Sequence, residues 1–198
     1  NVTYKKATGY GTVASNDGTY VYITGKGTGL FSTGVPTPIP LVGVADAQLD
    51  TAQQKFGSAS LLLDGTGDYV QLPTTEDNGL GTTNFAIECW IRPSSVSGTQ
   101  HIIDFRTGSA TDTAPKLYLS GTTVHFGSGN TSHASGGTVS TGTWYHVAVS
   151  RFGGVTKLFL DGTQIGSNYT DTNDYGSTKP VIIGASYTSG LEAFAGHI

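Results

Sequence analysis

Histidine, serine and aspartate side chains occur together in one segment, TWYHVAVSRFGGVTKLFLDGTQIG, which runs from residue 143 to residue 166. His146, Ser150 and Asp161 are the residue types of a catalytic triad, in which the imidazole takes a proton from the hydroxyl and the carboxylate orients the ring. That chemistry requires the hydroxyl and the imidazole to lie within hydrogen-bonding distance of each other. The strands that carry the three residues therefore decide whether they can react.

Two turn signals set the register of these strands. Gly153-Gly154 and Asp161-Gly162 are residue pairs favoured in two-residue hairpin turns, because both central residues of such a turn take a positive φ. Counting outward from the first turn places Val149 opposite Leu158, and counting from the second places Ile165 opposite Leu158. Two turns chosen independently thus give one apolar stripe, which predicts a three-strand antiparallel meander.

The polar residues of the meander separate in this register. His146 lies opposite Asp161 at the rim, whereas Ser150 lies opposite Lys157, four residues farther along the strand. No nucleophile therefore stands beside the imidazole within the segment. We expect a structural hydrogen bond between His146 and Asp161. The other histidines do not have the i, i+2 or i+4 spacing of a zinc site either.

Composition favours an all-β protein. The 198 residues include 29 glycines, and only 12% of the residues are charged, without an amphipathic helical run of useful length. The net charge of −4 and the scattered basic residues argue against a nucleic-acid partner. No apolar run is long enough to span a membrane, so we expect no membrane partner. Cys89 is alone, so no disulfide can form within the chain.

The chain divides into two parts. Residues 1–40 contain short runs in which apolar and polar residues alternate, followed by the proline-rich VPTPIP. This pattern predicts a small β-hairpin unit with a linker. From residue 41 to residue 198 we count roughly eleven short strands, separated by turn signals about every eight to twelve residues, which is typical of a sandwich or barrel. The longest predicted loops cover residues 107–115, 127–142 and 167–179, where binding is expected.

Six segments of the larger part, in order, resemble the laminin-G-like jelly-roll domains of the concanavalin A-like lectin/glucanase superfamily. They are AQLDTAQQKFGSASLLLDGTGDYVQLP, FAIECWIRP, GTWYHVAVSR, KLFLDGTQIGS, PVIIGAS and FAGHI. The resemblance covers about residues 45–198 and implies a two-sheet antiparallel jelly-roll sandwich. It also implies a closing strand after GHI, which this sequence does not contain. It further implies a first strand before AQLDT, for which IPLVGV (39–44) is a weak candidate.

Residues 11–34, GTVASNDGTYVYITGKGTGLFSTG, resemble small β modules of bacteriophage virion proteins, although Val35 stands where those modules carry an aspartate. The two resemblances together imply a non-enzymatic virion structural protein, such as a head decoration, fibre or tail component, at the virion surface. Its partners would be other virion chains, with homo-oligomer formation through residues 1–40, and a host-surface glycan. The alternative is a carbohydrate-binding module or adhesin fragment of a secreted bacterial protein, located extracellularly or at a cell surface.

Three groups of residues are candidate sites. Glucanases of this superfamily use clustered glutamates, but the strand with Glu88 lacks a second carboxylate, so no catalytic residue is expected. Asp64 and Asp68 in LDGTGDY offer carboxylates to a calcium ion, or serve only as turn residues that bond their own backbone. Exposed aromatic side chains stack on sugars, or lie at the edge of the sheet without binding a ligand. The candidates in or near the predicted loops towards the C-terminal end are Tyr169, Tyr175 and Tyr187.

Overall fold

The computed structural model describes residues 3–7, 10–14, 41–75, 78–108, 112–187 and 191–198. The strands of these residues are β1 (Thr3–Ala7), β2 (Tyr10–Ala14), β3 (Val42–Val44), β4 (Gln48–Asp50), β5 (Ser60–Asp64), β6 (Tyr69–Thr75), β7 (Phe85–Pro93), β8 (Thr99–Asp104), β9 (Pro115–Ser120), β10 (Thr123–Ser128), β11 (Thr131–Gly136), β12 (Tyr145–Phe152), β13 (Val155–Leu160), β14 (Thr163–Thr170), β15 (Lys179–Ile183) and β16 (Ala195–His197). Within the described ranges, no helix is both long and apolar enough to cross a membrane.

Two seven-stranded antiparallel sheets form the larger part of the chain. The first sheet has the order β11-β10-β9-β8-β15-β6-β3, and the second has the order β14-β13-β12-β7-β16-β5-β4. Strands that are neighbours in a sheet are often distant in sequence, as expected for a jelly roll, and the predicted all-β sandwich is confirmed. β1 and β2 pair with each other in a separate two-stranded sheet. The rest of the predicted N-terminal unit, including VPTPIP, lies outside the described residues.

The predicted meander register is confirmed pair by pair. Val149 pairs with Leu158, and Leu158 pairs with Ile165. Both turns have the positive φ values that a two-residue hairpin of this kind requires, 57° and 74° at Gly153-Gly154 and 49° and 78° at Asp161-Gly162. The apolar stripe therefore faces the opposite sheet, and Val149 and Leu158 are buried.

The core lies between the two sheets. Large apolar side chains that alternate along the strands meet there, and each buried one contributes about 1.5–3 kcal/mol to folding. Its main members are Leu63, Ile91, Ile102, Leu117, Leu119, Val124, Phe126, Val147, Val149, Leu158 and Phe194. Cys89 packs against this cluster, and burial raises the pKa of its thiol to about 12, so it is an unreactive filler.

One strand and the end of another lie where the sequence predicts loops. Residues 127–142 were expected to be a loop, but Thr131–Gly136 pairs with β10 as β11. Residues 167–170 of the next expected loop belong to β14. Both strands are rich in Thr, Ser and Gly and bury few side chains, so the apolar alternation that marks a strand is absent there.

The last described strand lies inside the second sheet. FAGHI supplies β16, which pairs with β5 on one side and with β7 on the other. Gly196 is required at this position, because its φ is 139° and a Cβ atom would clash with the carbonyl oxygen of Arg92. IPLVGV does supply a strand, since Val42–Val44 forms β3 at the edge of the first sheet. The missing closing strand stays a prediction.

Candidate functional site

The three triad-type residues form no reaction centre. The backbone amide of His146 donates to Asp161 Oδ1 at 2.7 Å, and the amide of Asp161 donates to the carbonyl of His146 at 2.8 Å. The predicted structural hydrogen bond is therefore present, but it uses the backbone of His146 and not the imidazole. Ser150 pairs with Lys157, as the register predicted.

Asp64 and Asp68 lie at a cleft of about 450 Å³ between the β3–β4 turn and the end of β5. Asp68 is buried and holds this region together, because its Oδ1 accepts from the amide of Asp46 and its Oδ2 from the amide of Asp64, both at 2.8 Å. Asp64 Oδ1 accepts from the amide of Thr66 at 2.6 Å, as in an aspartate turn. The described residues bring together no group of three His, Cys, Asp or Glu side chains for a metal ion, and calcium stays a prediction.

Tyr175 is a core residue, so the expectation of an exposed aromatic side chain is wrong at this position. Its exposed fraction is 0%, and its hydroxyl donates to Asp171 Oδ2 at 2.8 Å. The ring lies 5.9 Å from that of Phe85, and the guanidinium of Arg151 lies 5.3 Å from it. The turn after β14 folds back over the end of the sandwich, which a reading of local sequence could not show.

Tyr169 lies in β14 and not in a loop. Its ring is half-buried and stacks on that of His133, with 3.9 Å between centroids and 10° between planes. Its hydroxyl accepts a hydrogen bond from Asn173 Nδ2 at 2.9 Å. One face of the ring is therefore covered by His133. A glycan contact at Tyr169 stays a prediction.

Tyr187 lines a cleft of about 460 Å³ on the outer face of the first sheet, here called the sheet cleft. Lys116 belongs to the outer face, because it alternates along β9 with the buried Leu117. The lining comes from the end of β8, from β9, from the β10–β11 turn and from the segment before β16, and it consists of Arg106, Lys116, Asn130, Ser186, Tyr187, Leu191 and Glu192.

A buried ion pair forms the floor of the sheet cleft. Arg106 Nη2 donates to Asp104 Oδ2 at 2.6 Å, Arg106 Nε donates to both carboxylate oxygens of Asp104, and both side chains are almost fully buried. Arg106 Nη1 donates to the carbonyl of Gly129 at 3.3 Å. The guanidinium lies 4.5 Å from the centre of the Tyr187 ring. Arg106 therefore connects the strand end to the aromatic residue of the cleft.

His101 is buried beside this pair. A guanidinium has only donors, so the 3.2 Å contact from Arg106 Nη2 requires His101 Nε2 to be the acceptor, which leaves the proton on Nδ1. Nδ1 lies 3.2 Å from Glu192 Oε2 but makes no hydrogen bond to it or to any other residue in the described part of the chain. Burial lowers the pKa of His101 to about 4, against the opposing effect of Asp104, so the ring is neutral at pH 7.

Glu192 borders the sheet cleft in an unusual conformation. Its φ is 51°, in the left-handed region, which residues other than glycine occupy at a cost of about 1–3 kcal/mol and which is common at functional sites. Its carbonyl accepts from the amide of His101 at 2.8 Å. Its side chain is 48% exposed. The carboxylate therefore contacts both the buried histidine and the open cleft.

A second aromatic surface, here called the Trp90 surface, lies on the outer face of the second sheet. Phe56 is 70% exposed and meets Trp90 edge to face at 5.7 Å, and Lys55 Nζ lies 4.2 Å from the centre of the Trp90 ring. The imidazole of His146 lies beside Trp90 at 5.2 Å, with its Nε2 3.5 Å from Glu88 Oε2. The alternation in FAIECWIRP already places Trp90 on the face opposite the core.

Most residues of the sheet cleft are not predicted from the sequence. Of the residues that line it, only Tyr187 was a candidate. Asp104 and Arg106 could have been noticed, since two opposite charges two residues apart at the end of an apolar strand suggest a buried pair. Lys116, Asn130 and Glu192 carry no local signal, because they come from separate segments.

The comparisons with known proteins agree with this architecture. A family model described as the concanavalin A-like lectin/glucanases superfamily matches residues 64–198, which include every residue of the sheet cleft. Domain 4 of AbnA, a GH43 extracellular arabinanase from Geobacillus stearothermophilus solved with arabinotriose, superimposes with a TM-score of 0.61 and 17% identity over 80% of this chain and 77% of that one. No curated protein matches the sequence significantly.

Two other solved structures show the same fold at low identity. The mouse laminin alpha1 chain, domains LG4-5, has a TM-score of 0.55 and 15% identity over 76% of this chain and 39% of that one. The ligand-binding domain of botulinum neurotoxin serotype D, solved with N-acetylneuraminic acid, has a TM-score of 0.52 and 15% identity over 73% of this chain and 37% of that one. The match thus spans less than two-fifths of the laminin and toxin chains.

Proposed function

Because the chain belongs to the concanavalin A-like lectin/glucanase superfamily, we propose that it is a non-catalytic carbohydrate-binding protein whose binding site is the sheet cleft. One observation carries the proposal, the placement of Tyr187 beside hydrogen-bonding side chains around about 460 Å³ of open space. That volume lies within the range of roughly 300–1,000 Å³ typical of small-molecule sites. The complexes of the arabinanase domain with arabinotriose and of the toxin domain with N-acetylneuraminic acid support a sugar as ligand.

The side chains of the sheet cleft match the two kinds of surface that a sugar presents. Tyr187 and the exposed Leu191 offer apolar contacts to the C–H face of a pyranose ring. Lys116 and Asn130 have N–H groups that donate to hydroxyl oxygens, and Glu192 has a carboxylate that accepts from hydroxyl groups. Lectin-type recognition needs this combination of an apolar platform with donors and acceptors.

A hydrolytic role is not proposed for this site. Glycoside hydrolysis requires two carboxyl groups on either side of the scissile bond. Of the acidic residues at the sheet cleft, Asp104 is buried and paired with Arg106, so Glu192 has no free carboxyl partner among the described residues of the cleft. The geometry therefore favours binding without cleavage.

Substitution at the sheet cleft tests the proposal. We expect Tyr187→Ala and Lys116→Ala to weaken glycan binding at least tenfold, which is about 1.4 kcal/mol, because each removes a direct contact. A glycan array identifies the bound sugars, and isothermal titration calorimetry measures the affinities of the wild type and both variants. Trp90→Ala is the matched control on the opposite sheet and should leave binding unchanged. A flat array, or a loss caused by Trp90→Ala alone, would contradict the assignment.

For the whole chain we propose a structural protein of a bacteriophage virion, displayed at the particle surface. The supporting observations are the N-terminal sequence resemblance and the pairing of β1 with β2 in a sheet separate from the sandwich. Residues 1–40 would contact other copies of the chain or other virion proteins. Immunogold electron microscopy of purified particles should label their surface. Recovery of the protein only in particle-free medium would favour the alternative, a carbohydrate-binding module or adhesin of a secreted bacterial protein.

A further inference from the structure

The edges of the two sandwich sheets differ in how they are protected. In the described part of the chain these edges are β3 and β11 in the first sheet and β4 and β14 in the second. An edge strand carries a row of backbone N–H and C=O groups without partners, and it pairs readily with another chain unless it is covered or blocked. An edge that is neither covered nor blocked is therefore a surface for strand pairing.

On one side of the sandwich, β11 and β14 cover each other. The ring of His133 in β11 stacks on the ring of Tyr169 in β14, with 3.9 Å between the centroids. At Gly166 of β14 a Cβ atom would clash with the backbone of Ser135 in β11, so the two strands are also in direct backbone contact. These two edges thus protect each other from an added strand.

On the other side, β4 carries a charge and β3 does not. The two strands are joined by residues 45–47. β4 ends in Asp50, whose carboxylate lies 3.8 Å from His197 Nδ1. A charged side chain on an edge strand is one of the features that prevent unwanted pairing. Residues 41–45, LVGVA, contain β3 and include no charged residue, so this edge has no such protection.

Apolar side chains are exposed around β3. The exposed fractions are 40% at Leu41, 56% at Val42 and 72% at Leu49 of β4. Exposed apolar groups on an uncharged edge mark a site of interaction between chains. Residues 1–40 join the sandwich at Leu41, so any chain that they contact is brought close to this edge.

The sequence of β3 fits a second copy of itself. Val42-Gly43-Val44 reads the same in both directions. When two copies meet antiparallel about a twofold axis at Gly43, Val42 of one copy lies opposite Val44 of the other, and the two Gly43 residues lie opposite each other. Leu41 then lies opposite Ala45 of the other copy, so no like charges meet. This register pairs all three residues of the strand.

We infer that two copies of the chain associate through β3, which joins their first sheets into one continuous sheet. The inference rests on the proposed assembly of copies through residues 1–40, and it adds the surface of the sandwich that takes part. Two paired three-residue strands bury much less than the roughly 1,200 Å² of a stable interface, so this contact is weak alone. Residues 1–40 that hold two copies together raise the local concentration of one sandwich around the other and so strengthen the contact.

The pairing has a consequence for the sheet clefts. The twofold axis of an antiparallel strand pair is perpendicular to the sheet, so the outer faces of both first sheets point the same way. The sheet cleft is lined from β8 and β9, and β15 and β6 separate β8 from β3. Both clefts therefore stay open on one face of the dimer, where two sites can bind one glycan-covered surface together.

Gly43→Cys in the full chain tests the register. A Cβ atom at this position would lie 3.4 Å from the carbonyl oxygen of Ala47, an ordinary contact, so the substitution fits the fold. Directly opposed residues have Cβ atoms about 4.5–5.5 Å apart, so oxidation with copper phenanthroline should link two copies into a disulfide-bonded dimer. Burial raises the pKa of the Cys89 thiol to about 12, so Cys89 does not compete.

Phe152→Cys is the matched control for this cross-link. Phe152 lies at the end of β12, far along the chain from β3, and is 77% exposed, so a thiol there is at least as accessible as one at Gly43. Non-reducing gel electrophoresis should show at least tenfold more dimer for Gly43→Cys than for Phe152→Cys at equal protein concentration. Equal yields of dimer from the two variants overturn the inference.

Val42→Lys tests the association without a cross-link. A lysine on the edge strand opposes pairing, and the fold tolerates it because the side chain of Val42 is more than half exposed. In sedimentation velocity of the full chain over a concentration series, we expect Val42→Lys to weaken self-association at least tenfold. Phe152→Lys, the matched control, should associate like the wild type.

The outcomes separate this inference from the proposed assembly through residues 1–40. A wild-type oligomer that Val42→Lys leaves unchanged overturns the pairing of β3 and leaves residues 1–40 as the contact between copies. A wild-type chain that is monomeric at every concentration overturns both. Neither outcome affects glycan binding, which the array and the calorimetry test separately.

Discussion

Buried charged side chains hold two regions of the sandwich in place. Arg106 pairs with Asp104 beneath the sheet cleft, and Arg151 lies 3.8 Å from Asp171, which also accepts from Tyr175. Removal of one partner of such a buried pair typically costs about 3–5 kcal/mol, because it leaves an uncompensated charge. These pairs therefore hold each region in one arrangement, and the first of them contacts the ring of Tyr187 in the sheet cleft.

The depressed pKa of His101 predicts a pH-dependent stability. In the folded chain this pKa is about 4, against 6.5 for an exposed histidine, so the unfolded chain binds more protons between these values. The contribution of His101 to stability is present above pH 6.5 and is lost as the pH falls toward 4. The shift corresponds to roughly 3 kcal/mol at most.

Chemical denaturation at pH 7 and pH 4.5 measures this effect. Burial also lowers the pKa values of His125, His133 and His197, which act in the same direction, so the comparison needs a matched variant. His101→Asn should lose less stability than the wild type over this pH interval. An identical loss in both proteins would show that His101 does not titrate as described.

At the scale of elements, turns with special backbone requirements determine the register. The hairpins at Gly153-Gly154 and Asp161-Gly162 were read from the sequence because few residues tolerate a positive φ at both central positions. β11 was missed, because its TSHASG sequence buries only Ala134 and thus lacks an apolar alternation. Strands at a sheet edge that bury little carry a weak signal in the sequence.

Gly162 allows a clean test of turn conformation. Its φ is 78°, and a Cβ atom added there would meet nothing within 4 Å, so the cost of a substitution comes from the backbone alone. We expect Gly162→Ala to reduce the free energy of unfolding by about 1–2 kcal/mol and Gly162→Asn to reduce it by less, because asparagine tolerates the left-handed region. Urea denaturation measures both. Equal stability of the alanine variant and the wild type would contradict this account of the hairpin.

At the scale of the whole molecule, the sandwich carries polar and aromatic surfaces on opposite outer faces. The sheet cleft lies on the first sheet, and the Trp90 surface lies on the second. The buried apolar residues of the described chain all lie between Leu63 and Phe194, in three clusters. We therefore expect the sandwich to fold without residues 1–40.

Truncation tests this independence. We expect residues 41–198 to unfold cooperatively and to bind the same glycans as the full chain, because the core and the sheet cleft lie within this range. If residues 1–40 serve as the attachment unit, light scattering should show a smaller oligomer for the fragment than for the full chain. An aggregated fragment without a cooperative transition would mean that the sandwich needs the N-terminal residues.

The all-β class, the three-strand meander and the face on which Trp90 lies can be predicted from the amino-acid sequence, because they depend on local turn chemistry and on the two-residue period of a strand. The burial of Tyr175 and the position of Tyr187 beside Arg106, Lys116 and Glu192 follow from the packing of the two sheets. Strand order in a jelly roll joins segments far apart in the chain, and the path of the loops over the sheets follows from that packing. A cleft lined by residues from four separate segments therefore leaves no pattern in any one of them.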